Sequence, residues 1–164
     1  AVAFASKWIA SQNPSDPVNE CFIAGLLHDI GKIILNRPIL ERKKAFDRLV
    51  EEEDYTVIDA EQAVLGFDHA EIAFEMCRRW KIPDTIANAI RYHHRPSCSR
   101  QDRLSYMLHL SDYIASLSGI GIGPDDIRYE TEYGTRDFLG ITQKEVSALV
   151  FNLITSVNQL ASAH

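Results

Sequence analysis

Residues 24–35, AGLLHDIGKIIL, set a histidine, an aspartate and a lysine into an otherwise apolar run. Leu26, Leu27, Ile30, Ile33 and Ile34 recur at the spacing that predicts a buried helix. Lys32 follows His28 by four residues and Asp29 by three, which places it on their side of that helix. A buried carboxylate is costly unless it is paired, so Asp29 needs a partner. A divalent cation would serve, because His28 and Asp29 together make half of a metal site. Hydrogen-bonded neighbours, with Lys32 as counter-ion, would serve as well. Neighbouring residues point about 100° apart round a helix, so the pair converges only on an ion lying between the two directions.

Four further residues have the same chemistry. His69, His93, His94 and Asp112 lie with the doublet on four predicted helices, each in or at the end of an apolar stretch. Imidazole and carboxylate are the ligand set of Fe, Mn, Zn, Ni or Mg, and a helical bundle can aim them at one point. Each has a plainer reading. His69 at a helix start fits a capping or surface role. His93 and His94 end a helix, where a cationic imidazole favours the dipole. Asp112 is harder to dismiss, since a mid-helix aspartate among apolar residues is both a poor helix former and costly to bury. His109, one turn earlier, fits a structural role or one orienting Asp112.

The positioning elements follow from punctuation and periodicity. A first helix over residues 1–11 is broken by Asn13-Pro14-Ser15-Asp16-Pro17. Asp16 is then the expected N-cap, and Pro17 the first turn, of a central helix running to about Asn36, before Pro38. Residues 39–53 read as an amphipathic segment with a solvated charged face. Thr56 to Leu65 reads as a helix closed by Gly66. Asp68 with Glu71 makes a capping box for a helix carrying His69 and Trp80. Pro83 opens a helix that ends at His93-His94 and is closed by Pro96. Residues 101–118 form another, 119–123 a flexible turn, and 125–139 an irregular stretch. Thr142 with Glu145 caps a last helix over 143–161. No strand alternation is evident, so the expected fold is all-α, a single bundle of seven to eight helices.

The chain has 164 residues, enough for one well-cored domain, with 46% hydrophobic and 24% charged residues. A net charge of −6 argues against general nucleic-acid binding but leaves room for a small phosphorylated ligand. No run is long and apolar enough for a membrane span, and no signal peptide is visible. Cys21, Cys77 and Cys98 form no CxxC pair, which points to buried small apolar groups and a reducing, cytoplasmic compartment. The chain opens at Ala1 in mid-pattern, so a fragment of a longer chain continuing N-terminally is expected.

In order, the blocks AGLLHDIGK, GFDHAEIA, RRWKIPDTIANAIRYHHRP and LHLSDYIA resemble the HD superfamily of metal-dependent phosphohydrolases. Within it, the resemblance is to the HD-related output domain (HDOD) of bacterial signalling proteins, and it extends to SLSGIGIG and FLGITQKEV. That resemblance implies an HD-like helical domain over 1–164 and one or two divalent ions. It implies His28 and Asp29 as the naming doublet and Asp112 as the closing aspartate ligand. It implies His69 and one or both of His93 and His94 as the extra ligands of binuclear relatives. Lys32 matches the phosphate-facing lysine of the HD-GYP phosphodiesterases. Two departures stand beside it. No histidine precedes His28, and HHRPSCSRQD lacks the acidic, Gly-rich continuation and GYP triplet of the HD-GYP branch.

The expectation is therefore a signalling module with a retained metal site, acting on a partner protein or a neighbouring domain. The alternative is a phosphohydrolase of a nucleotide or cyclic nucleotide. In that case Asp29 would hold metal, Lys32 and Arg91 would offset phosphoryl charge, and Glu61, Asp68 or Glu71 would orient ligand histidines.

Overall fold

In the computed structural model, residues 1–120 and 131–162 are described. Residues 121–123 of the turn expected over 119–123, and 125–130 of the irregular stretch expected over 125–139, lie outside them, while the end of that stretch forms a short helix, Thr135–Leu139. The described residues are all-α: α1 Val2–Ser11, α2 Val18–Leu27, α3 Ile30–Glu41, α4 Lys43–Glu51, α5 Val57–Leu65, α6 His69–Arg79, α7 Asp84–Tyr92, a 3₁₀ turn Pro96–Ser99, α8 Arg103–Ser118, α9 Thr135–Leu139 and α10 Gln143–Ser162. No strand occurs among them.

α8 is the axis of the bundle. It buries Leu104, Met107, Leu108, Leu110 and Ile114, and α1, α7 and α10 pack around it. α2 lies against α1 and α7, and α3 lies against α6. Ala5, Ile9, Ala24, Ile86, Ile90, Val146 and Leu149 complete the core. Small residues set the spacing: Gly25 sits so close to α1 that a Cβ there would lie 2.6 Å from Ala3 Cα.

Several helix signals act as the sequence indicates. Thr56 caps α5, which ends at Gly66 in a left-handed conformation at φ 84°. Asp68 and Glu71 form a complete capping box on α6. Thr142 and Glu145 exchange the same pair of bonds at the start of α10. α4 buries no residue, and Lys43 pairs with Asp47 along its exposed face.

The central helix differs from expectation. The chain leaves helical geometry at Asp29, at φ −100° and ψ 8°, dividing the run into α2 and α3. The expected buried stripe is correspondingly wrong. Leu26 is 61% exposed and Ile33 74%, while Cys21, Ala24, Gly25, Gly31 and Leu35 are buried. The break re-aims the face: Leu26, Ile33 and Ile34 turn outward, Leu27 and Ile30 stay half-buried against the core, and Leu35 is buried with the small residues. Pro38 lies inside α3, which continues to Glu41.

Asp16 is not the N-cap of α2; Pro17 holds that position. The Asp16 carboxylate is instead buried against Arg103, accepting from Nε at 2.8 and 3.0 Å. Arg103 also donates to the carbonyls of Phe138 and Leu139, tying the α1–α2 loop to α8 and α9.

Candidate metal centre

The break between α2 and α3 places two adjacent side chains where a continuous helix could not. His28 closes α2 and Asp29 precedes α3. His28 Nδ1 lies 3.0 Å from the Gly25 carbonyl, which can only accept, so Nδ1 carries the proton. Its Nε2 faces Asp29 Oδ2 at 3.4 Å and Asp112 Oδ1, brought by α8, at 3.5 Å. Lys32, in the first turn of α3, holds Asp29 Oδ2 at 2.9 Å.

The other carboxylate oxygen looks inward. Asp29 Oδ1 lies 3.3 Å from His69 Nε2 and 3.9 Å from His93 Nε2. It is a buried oxygen that accepts no hydrogen bond among the described residues. His69 comes from the first turn of α6 and is 1% exposed. Glu61 of α5, equally buried, accepts from its main-chain N–H at 2.9 Å and sits 2.7 Å from its Nδ1. His93 and His94 stand just beyond α7. His93 gives its Nδ1 proton to the Ile90 carbonyl at 2.6 Å, and His94 Nε2 approaches His69 Nε2 at 2.8 Å.

This arrangement fits a cation. In His28, His69 and His93 the Nδ1 proton is committed to a carbonyl or carboxylate, which directs Nε2 at an aspartate oxygen. A lone pair facing a carboxylate oxygen is repulsive unless a proton or a metal lies between them. Asp29, His69, His93 and His94 bring four such atoms within 4.8 Å of one another, and His28, His93 and Asp112 bring a second set sharing His93. Ligands about 2.1 Å from a common ion stand about 3 Å apart, close to the 2.8 to 3.5 Å separations of the nearest pairs.

The electrostatics agree. Burial raises the Asp29 carboxyl, but the surrounding His28, Lys32, His69 and His93 outweigh it and hold the group well below the usual carboxylate range. Asp112 is likewise lowered: its interaction with the His28 ring 3.5 Å away overcomes burial. Burial draws His28 down, yet Asp112 and Asp29 together leave it raised. Burial drives His93 down to about 3 and His94 well below 6.5, leaving both imidazoles neutral, the form that binds metal.

A pH dependence follows for the metal-free protein. His93, His94 and His109 are lowered in the fold, chiefly by burial. The unfolded chain therefore takes up protons at these positions first, and stability falls as pH drops from about 6.5. The raised His28 acts oppositely: its contribution is complete below about 6.5 and lost as pH rises through its folded value. The lowered Asp29 and Asp112 add a loss only below about pH 4. Three histidines oppose one, so the urea midpoint of chelator-treated protein is expected to be lower at pH 4.5 than at pH 7. A higher midpoint at pH 4.5 would mean that His28 dominates.

All six residues singled out in the sequence come together here, with Lys32 at the edge. Arg91 does not join them. It is exposed and lies over the Phe74 ring at 4.8 Å, lining a groove with Gln62, His94 and Arg95. Of the three expected orienting carboxylates, Glu61 reaches His69, while Asp68 and Glu71 serve the α6 capping box. His109 takes the structural role expected of it: its Nδ1 donates to the His93 carbonyl at 2.6 Å. Gly31 is a further residue of the site that the sequence pattern does not mark: it lies directly on the His69 carbonyl. A cavity of about 330 Å³ opens on His28, Asp29 and Asp112 from between the starts of α1 and the end of α8.

The HDOD domain family matches residues 1–96. A crystal structure of a Geobacter sulfurreducens HDOD domain protein of unknown function is 29% identical, with a TM-score of 0.66 over 99% of this chain and 58% of that one. A Marinobacter aquaeolei VT8 chain, described as a candidate signal transduction protein, shares the fold at 22% identity and a TM-score of 0.77, over 98% of this chain and 36% of its own. An uncharacterized protein of Treponema pallidum (strain Nichols) is 29% identical over 79 residues, 47% of this chain and 15% of its own. The chain thus spans 58% or less of each of these relatives. With the family matched over more than half of its length and the fold over nearly all of it, this chain belongs to the HDOD domain family.

Proposed function

We propose that this domain is a signal-transduction module built round a retained divalent-metal site, acting in the cytoplasm through a partner protein or a neighbouring domain. The observation that carries the reading is the buried Asp29 Oδ1, facing the Nε2 atoms of His69 and His93 without a hydrogen-bond donor among the described residues. Asp29, His69, His93 and His94 would hold one ion, and His28, His93 and Asp112 a second. No helix among the described residues is long and apolar enough to cross a membrane.

Elemental mass spectrometry of the purified protein, beside Asp29→Ala, tests the site. About one or two equivalents of a transition metal are expected in the wild type, and loss in the variant. Absence of metal in the wild type after loading with Fe, Mn, Zn and Ni would refute it.

The cavity over His28 and Asp112 favours a second reading, hydrolysis of a small phosphate ester such as a nucleotide. A bound divalent ion supplies Lewis acidity and brings the pKa of its water toward neutrality. Lys32, 2.9 Å from Asp29 at the site edge, would offset phosphoryl charge. Turnover of a generic phosphodiester, lost in both Asp29→Ala and Asp112→Ala, would favour hydrolysis over signalling alone.

A further inference from the structure

Beneath the tandem histidines lies a polar connection that metal binding does not require for its ligands. His109, on α8 and 1% exposed, donates from Nδ1 to the His93 carbonyl at 2.6 Å. Its other ring nitrogen accepts the main-chain N–H of Glu132 at 2.9 Å. The Glu132 carboxylate returns to the tandem-histidine strand of chain: one oxygen accepts Ser97 N–H at 3.0 Å and the other Ser97 Oγ–H at 3.0 Å. Residues 93–97 are therefore held twice, from below at the His93 carbonyl and from outside at Ser97. Both holds meet at Glu132. The neighbouring Tyr133 is fully exposed, so this segment reaches the surface.

We infer that His109 is a positioning residue that locks the tandem histidines and the Glu132 segment into one unit, so that loading the site is reported at that surface segment. The inference rests on the metal reading of His93 and His94. The physical basis is linkage. A ligand that orders His93 and His94 favours the arrangement in which His109 bridges to Glu132, and ordering Glu132 favours the metal-competent histidines by the same factor. The class of output is a change in order at residues 131–134, available to a partner surface.

The two bonds of His109 can be separated by substitution. In His109→Asn the side-chain amide replaces Nδ1 and keeps the bond to the His93 carbonyl, but it is too short to meet Glu132. In His109→Gln the longer side chain places an acceptor near the position of Nε2 and should restore the second bond. Hydrogen exchange of the peptide covering 131–134, with and without Zn²⁺ or Mn²⁺, reads the coupling, and chelator competition reads metal affinity. In the wild type, metal should slow exchange at Glu132 by about tenfold, the scale of an allosteric coupling. In His109→Asn the metal should still bind while this slowing disappears, and His109→Gln should recover it. Metal binding without any change at 131–134 in the wild type, or with the full change in His109→Asn, would overturn the inference. Should the wild type bind no metal, that failure belongs to the metal reading. The metal-free comparison then decides the clamp: faster exchange at Glu132 in His109→Asn than in wild type supports it, and equal exchange overturns it.

Discussion

Gly31→Ala is expected to destabilise the domain by about 3 kcal/mol and to abolish metal binding at the proposed site. A Cβ at Gly31 would stand 2.0 Å from the His69 carbonyl oxygen and 2.8 Å from its carbonyl carbon. Both are backbone atoms, and neither can step aside. His69 is the first residue of α6, whose start is fixed by the Asp68–Glu71 capping box and by Glu61 on the His69 N–H. The added methyl must therefore push α3 away from α6. Overpacking of a close-packed contact costs about 1–3 kcal/mol, and the upper end applies where no side chain can rearrange. The displacement also matters chemically. Asp29 precedes α3 and His69 begins α6, so separating the helices pulls Asp29 Oδ1 from the His69 Nε2 now 3.3 Å away.

Gly66→Ala is the control. Gly66 has φ 84° and no atom within 4 Å of an added Cβ, so it carries conformational strain alone, worth about 1–2 kcal/mol. Urea denaturation and metal content measured on both variants separate the cases. Gly66→Ala should lose some stability and keep its metal. A Gly31→Ala protein with the wild-type midpoint and wild-type metal content would show that α3 does not sit on the His69 carbonyl.

This contact marks the boundary of what the sequence carried. The candidate ligand types were legible, because a histidine or aspartate inside an apolar run is expensive and must be answered by something. His28, Asp29, His69, His93, His94 and Asp112 stood out for that reason and lie together. The capping boxes at Asp68 and Thr142 were legible because their bonds span only three residues. The break at Asp29 was not. An apolar pattern through Leu26, Ile30 and Ile33 reads as one helix, and only the packing of α3 on α6 requires the chain to turn there. The same blindness misassigned Asp16, whose carboxylate is buried against Arg103, 87 residues away. It hid Glu132, which meets His109 across 23 residues from a stretch without periodicity. Arg91 stands apart from the cluster. A cation beside the paired histidines suggests phosphate, and sequence does not show that its planar group lies over Phe74.

Glu61→Ala carries the second large effect, and a companion variant shows which part of it is electrostatic. One carboxylate oxygen of Glu61 serves both the His69 main-chain N–H, at 2.9 Å, and the His69 ring, at 2.7 Å. Glu61 and His69 are each 1% exposed, so water does not replace a lost partner easily. Truncation leaves two buried donors without an acceptor, at about 1–3 kcal/mol each, giving an expected loss of about 2–6 kcal/mol. It also frees the imidazole to rotate, so metal content should fall with stability. Glu61→Gln divides the two effects. Its carbonyl oxygen, placed where the carboxylate oxygen lies, accepts both bonds and keeps the ring aimed, but the negative charge is gone. A carboxylate behind a ligand histidine raises the basicity of the ligating nitrogen, and loss of such a partner weakens metal binding by about 10–100-fold. Glu61→Gln should therefore unfold near the wild-type urea concentration while binding metal at least about tenfold more weakly in chelator competition. If its affinity matched the wild type, Glu61 would act on His69 as a hydrogen-bonded strut alone. If its stability instead fell as far as that of Glu61→Ala, the charge itself would be what holds α5 to the start of α6.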